Sequence, residues 1–170
     1  WFYQYGAHML FPDEWEKFVA PIPMAERNDM IQAYHQRLTS TDPKVRNEAA
    51  KAWSSWEGAT VRLRFDPEFY GFFTEDGHAD ALARIECHYF TNNLFFKTDN
   101  WLLEHSEALQ DIPGVIVHGR YDVICPVDNA WQLHKAWPRA RLEIIPDAGH
   151  AASEPGMLDA LIRATDQFRS

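Results

Sequence analysis

From Trp1 to about Leu109 the apolar positions recur at helical spacing and scarcely ever alternate in the period-two manner of strands. Pro12 with Asp13, Glu14 and Glu16 suits a first helical turn, where a ring-locked φ and negative charge are both favourable, and Trp15, Phe18 and Val19 supply its apolar stripe. Ala25–Leu38 places Met30, Ile31, Tyr34 and Leu38 on one face. Thr41-Asp42-Pro43 starts a third helix, running through Ala49, Ala52, Trp53 and Trp56. Asp66–Gly77 (DPEFYGFFTEDG) reads as a loop, and Ala79–Phe90 as a helix burying Leu82, Ile85 and Tyr89 or its neighbours.

Pro113-Gly114 is the strongest punctuation in the chain, and the pattern changes there. Strand, loop and helix then follow twice: Val115–Val117 and Val127–Trp137, then Leu142–Ile145 and Gly156–Phe168. Short strands joined through a helix imply a parallel pair with a right-handed crossover. Both strands are apolar on both faces and two strands make no stable sheet, so they require neighbours and helical cover. The chain is therefore expected to divide into a helical unit, 1–109, and the last part of an α/β sheet domain, 110–170.

Two loops of the second unit carry candidate chemistry. Asp122 follows the run VIVHGRY and His150 follows LEIIPDAG, each just past the carboxyl end of a strand, where open α/β sheets build their active sites. An Asp behind a histidine fixes the imidazole tautomer and stabilises the imidazolium formed when it takes a nucleophile's proton. The bland alternative is a turn Asp and a loop-capping His. What favours chemistry is matched context, a strand, a nearby glycine (Gly119 or Gly149) and a following helix, found twice. Asp128 and Asp147 compete as acids, but Asp128 suits the N-cap of the next helix and Asp147 lies too close in sequence to His150. The α/β-hydrolase fold orders its triad nucleophile, acid, histidine, with the serine in Gly-x-Ser-x-Gly. No serine here has glycine two places before and two after, so either the nucleophile lies upstream of these residues or the protein is no hydrolase.

Composition narrows the partners. Of the 170 residues, 46% are hydrophobic and 14% aromatic, which supports a packed core rather than disorder. A net charge of −9 disfavours nucleic acid and anionic membrane, both bound chiefly through Lys and Arg clusters. No signal-peptide core and no run near the ~20 apolar residues of a membrane span are present, so a cytoplasmic location is expected. A start at Trp1, in the aromatic stretch WFYQYG, suggests truncation. Cys87 and Cys125 are too few for a disulfide framework, have no zinc spacing, and read as packed thiols. His88 and His118 form no HExxH pattern.

Beyond these patterns the chain resembles the proline iminopeptidases, serine peptidases of the α/β-hydrolase fold. The resemblance rests on WFYQYGA (1–7), RLTSTDP (37–43), AAKAWSSWEG (49–58), ARIECHYF (83–90), PGVIVHGRYDVICP (113–126), AWQLHKAWP (130–138) and AGHAASEPG (148–156), and so covers nearly the whole chain. Cys87 stands where the family pattern more often has Asn. The resemblance implies that residues 1–109 are a helical cap preceding the last two strands, that Asp122 and His150 are catalytic, and that no metal or organic cofactor is needed. It also implies that Glu57 and Glu86 bind the free amino group of a peptide's N-terminal proline. An α-amino group of pKa about 7.7–8.0 is largely cationic at neutral pH, and carboxylates in a partly desolvated pocket select it. Phe2, Tyr3, Trp53 and Phe90 are candidates to line the pyrrolidine pocket. Two rivals stay open: another capped hydrolase, such as an esterase or epoxide hydrolase, and a non-catalytic helical binding module.

Overall fold

Small residues on one face and large aromatics on an adjoining one make a single helix the centre of the N-terminal unit. The computed structural model describes residues 1–169, and its chain divides into two compact units: Trp1–Thr60 with Arg64–Phe96, and Val61–Leu63 with the residues from Lys97 onward. The first unit contains α1 (Pro12–Val19), α2 (Met30–Leu38), α3 (Pro43–Thr60), α4 (Pro67–Thr74) and α5 (Asp76–Thr91). α3 packs against the other four. Its Trp53 and Trp56 are buried with Phe18 and Tyr34, and Phe18 stacks on Tyr34 with ring centroids 4.7 Å apart. The Tyr34 hydroxyl donates to the Phe18 carbonyl at 2.5 Å, so the ring is buried without an orphaned polar group. On an adjoining face Ala50 and Ser54 of α3, with Ala79 and Ala83 of α5, are all buried, and Ser54 Oγ donates to the Ala79 carbonyl at 3.3 Å.

The segment 66–77 is mostly helical, not a loop. Asp66 accepts the backbone N–H groups of Glu68 and Phe69, both at 3.1 Å, and Pro67 occupies the first turn. These start signals outweigh the interior Gly71. The dense phenylalanines obscure the helical period, because the apolar residues are not confined to one stripe.

The second unit contains α6 (Trp101–Glu104), β1 (Gly114–Gly119), α7 (Val127–Ala136), β2 (Ala140–Ile145) and α8 (Pro155–Gln167). β1 and β2 are parallel, in register from Gly114 opposite Ala140 to Gly119 opposite Ile145, with α7 in the crossover. Ile145, Ala148, Met157 and Ala160 form the local core, with Val117 packed against it. The strands are half-buried rather than fully enclosed, because each has only the other as strand partner among the described residues. Asp128 and Cys125 differ from the sequence expectation. Asp128 lies inside α7, whose N-cap is Pro126, since the ring at 126 already fixes the extended entry to the helix. Cys87 is buried, but Cys125 is exposed in the loop after β1. Burial, then the Glu86 charge, pushes the Cys87 thiol up to about 12.

Gly119 is the point where the two strand ends meet. A Cβ there would lie 2.0 Å from the Gly149 carbonyl oxygen and 2.7 Å from that of Ala148. Both obstacles are backbone and cannot rotate away. Gly119→Ala is expected to lower stability by about 3 kcal/mol, the upper range for overpacking, measured by denaturant unfolding with an unchanged m-value. Full retention of stability would show that the loops separate freely.

Candidate active site

The chain leaves β1 through a turn built on the Asp122 carboxylate. One oxygen, Oδ1, accepts the backbone N–H groups of Ile124 at 3.0 Å and Cys125 at 2.9 Å. The other, Oδ2, faces His150 Nδ1 at 2.9 Å. The Asp122 side chain is only 4% exposed and that of His150 is 39% exposed. A carboxylate only accepts, so Nδ1 carries a proton and Nε2 is left as the atom that exchanges one with a reactant. The sequence thus brings together two residues from separate loops in the arrangement that acid–base catalysis requires.

The bond from Asp122 is the main cause that pushes His150 up to about 10. Interaction with Cys125 adds to it, and partial burial opposes it. The pair therefore stabilises an imidazolium, the ion that forms when a histidine removes a nucleophile's proton. Because the folded-state value lies above the ordinary 6.5, the stability contributed by the pair is complete below about pH 6.5. It is lost as pH rises through about 10. NMR titration of this chain should find the His150 pKa raised above the ordinary 6.5, with Asp122→Asn returning it toward that value. A His150 titrating near 6.5 in the unaltered chain would contradict the ion pair.

Further groups hold this arrangement, and the sequence reading passed over them. His118 Nε2 lies 2.9 Å from the Cys125 carbonyl and 3.5 Å from Asp122 Oδ2, bracing the Asp122 turn from β1. The Val61 carbonyl accepts the N–H groups of His150 at 3.1 Å and Ala151 at 2.9 Å. Glu154 is buried, and its carboxylate accepts Gly149 N–H at 2.8 Å and Leu63 N–H at 3.3 Å. A Glu before a proline reads as an ordinary helix start, so only the contact with residues 61–63, far away in sequence, exposes its role.

The N-terminal unit holds a second constellation. Glu57 on α3 is buried, and Glu86 on α5 is half-buried. The Tyr3 hydroxyl hydrogen-bonds Glu57 Oε1 and lies 3.3 Å from Glu86 Oε2, which also accepts from Trp53 Nε1 at 2.9 Å. Tyr3 stacks on Trp53 at 4.2 Å and meets Phe90 at 5.3 Å, while Phe2 stacks on Trp56 at 5.1 Å. Burial, followed by the charges of Glu57 and Glu86, raises the Tyr3 hydroxyl well above its usual value, so Tyr3 stays a donor. Two carboxylates from different helices thus converge on one phenol inside an aromatic wall. Tyr3 stands out in the sequence as one of several candidate aromatics, but not as the bridge between the two carboxylates.

A parallel strand pair with a carboxylate and a histidine on the loops after its strands, preceded by a helical unit, is the arrangement of an α/β hydrolase. The model of the alpha/beta hydrolase fold family matches residues 4–156, and the chain belongs to that family. Within it, the chain is 57% identical over 168 residues to a protein named probable proline iminopeptidase from Leptolyngbya boryana. It is 55% identical over 168 residues to a proline iminopeptidase of Xylella fastidiosa and 45% identical over 171 residues to one of Arabidopsis thaliana. Each alignment takes in 99–100% of this chain but only 52%, 54% and 45% of the respective relative. The chain spans about half the length of the curated relatives it matches. Among the described residues, no helix is long and apolar enough to cross a membrane.

Proposed function

We propose that the chain supplies the helical cap and the acid–histidine pair of a serine aminopeptidase that releases N-terminal proline from peptides. The observation that carries this reading is the 2.9 Å contact between Asp122 and His150 on the loops following β1 and β2. The names of the relatives point the same way, to proline as the residue released. The nucleophilic serine comes from sequence outside these 170 residues, which alone are then inactive.

In the whole enzyme, the serine Oγ attacks the carbonyl carbon of the N-terminal proline while His150 Nε2 takes its proton. Asp122 holds the imidazole and stabilises the resulting cation. Backbone N–H groups beside the serine stabilise the oxyanion. The tetrahedral intermediate collapses by breaking the C–N bond, and His150 returns the proton to the departing amine of the shortened peptide. Water, deprotonated by His150, then attacks the prolyl ester, and the serine leaves with the proton that His150 took from that water. Glu57 and Glu86 hold the proline's cationic amine, with Tyr3 and Trp53 fixing their oxygens. No step uses a metal or organic cofactor. The net charge of −9 supports action on peptides, without nucleic acid or an anionic membrane as partner.

The test compares hydrolysis of proline anilide and N-acetylproline anilide by the full-length protein. The amine anchor predicts a preference of at least about 100-fold for the free amine. Equal rates would favour an esterase-like capped hydrolase instead.

A further inference from the structure

Glu154 occupies the N-cap position of α8, yet its side chain makes no capping bond to that helix. Both oxygens are turned back, one to Gly149 N–H at 2.8 Å and one to Leu63 N–H at 3.3 Å. The same loop is tied to residues 61–63 by three more bonds. His150 and Ala151 both donate to the Val61 carbonyl, at 3.1 and 2.9 Å, and Arg62 Nη2 donates to Ser153 Oγ at 2.9 Å. The result is a strap, Val61–Leu63, laid across the loop that carries His150 and riveted by one buried carboxylate. Gly149 makes room for the rivet: a Cβ there would lie 2.8 Å from Leu63 N and 3.2 Å from Glu154 Oε1.

We propose that Glu154 is a positioning residue for His150, fixing the imidazole against Asp122 by clamping the loop to the Val61–Leu63 strap. The inference rests on the peptidase reading, in which His150 is the base. Its logic is donor arithmetic. Two backbone N–H groups converge on one side chain, and only a carboxylate presents an acceptor to each without presenting a donor. The negative charge also sits at the N-terminus of α8, where the helix dipole favours it. A glutamine of the same shape offers one acceptor and turns its amide N–H₂ toward the second N–H, so one rivet becomes a repulsion. Cap residues normally bond their own helix, and this carboxylate is directed to the histidine loop instead.

The charged and titratable groups around His150 are Asp122, with His118 behind it, Cys125, Glu154 and Arg62. Loosening the loop lengthens the Asp122 bond that holds the imidazolium proton, so the His150 pKa falls. The acid limb of kcat/KM then moves to lower pH while kcat drops, because the base is misplaced.

The experiment measures Glu154→Gln and Gly149→Ala in the full-length enzyme on proline anilide, alongside their melting temperatures. Gly149→Ala opens the clamp sterically with the carboxylate intact, and serves if Glu154→Gln does not fold. Either folded variant is expected to lose about 30-fold in kcat with KM within about twofold, and to shift the acid limb down by at least about half a pH unit. A lower melting temperature with unchanged kcat and an unmoved acid limb would reduce Glu154 to a stability role and overturn the proposal. Failure of the unaltered enzyme to prefer the free amine would instead remove the peptidase reading on which it rests.

Discussion

Asp122→Asn in the full-length enzyme is expected to lower kcat by about 10⁴-fold with little change in KM, the magnitude such a substitution has in serine-protease triads. The side chain keeps an oxygen to accept the Ile124 and Cys125 N–H groups, so the turn after β1 survives. What changes is the face toward His150. An amide N–H₂ at the position of Oδ2, 2.9 Å from Nδ1, turns Nδ1 into an acceptor and sends the imidazole proton to Nε2. Nε2 then has no lone pair with which to take the proton of a serine. Steady-state kinetics beside a melting curve checks this. A loss of tenfold or less in a folded variant would mean that Asp122 does not orient the base.

The second large effect belongs to the proposed amine anchor. Glu57→Gln is expected to lower kcat/KM for proline anilide by about 100-fold, the value of a desolvated charge-assisted bond, and Glu86→Gln by about 10-fold. The difference follows from burial: Glu57 is 5% exposed, whereas Glu86 is half-buried and faces a more water-like medium. Because glutamine is nearly isosteric, the Tyr3 and Trp53 contacts persist in altered form and the core stays packed. The slow background rate on N-acetylproline anilide should change little, since that substrate has no cation to lose. Equal losses on both substrates would assign these carboxylates to structure rather than recognition.

Much of the fold was readable in the residues, for local reasons. The apolar runs at 115–117 and 142–145 end at glycine and polar loops, and a helix between them leaves a parallel pair as the simple solution. The pairing of Asp122 with His150 was readable because each lies in the loop that follows one of those runs. Helix α4 was not, because aromatic residues crowd out its period and the deciding signals are only Asp66 and Pro67. Asp128 looks like a cap in sequence, but the backbone enters α7 two residues earlier through Pro126. The supports of the site were hidden for a different reason. Tyr3 and Glu57 lie 54 positions apart, and Leu63 and Glu154 lie 91 apart, so no local pattern links them. Residues with local partners announce themselves; a clamp made of backbone N–H groups from distant segments leaves no mark in the sequence.

The central claim is that His150, held by Asp122, activates a serine lying outside these residues. Peptide mapping of the full-length protein after treatment with a serine-directed fluorophosphonate tests it most directly. The label should fall on one serine outside this chain, and His150→Ala should slow labelling by at least about 1000-fold in a protein that stays folded. Labelling at an undiminished rate in His150→Ala, or turnover of proline anilide by an enzyme in which no serine is labelled, would contradict the account.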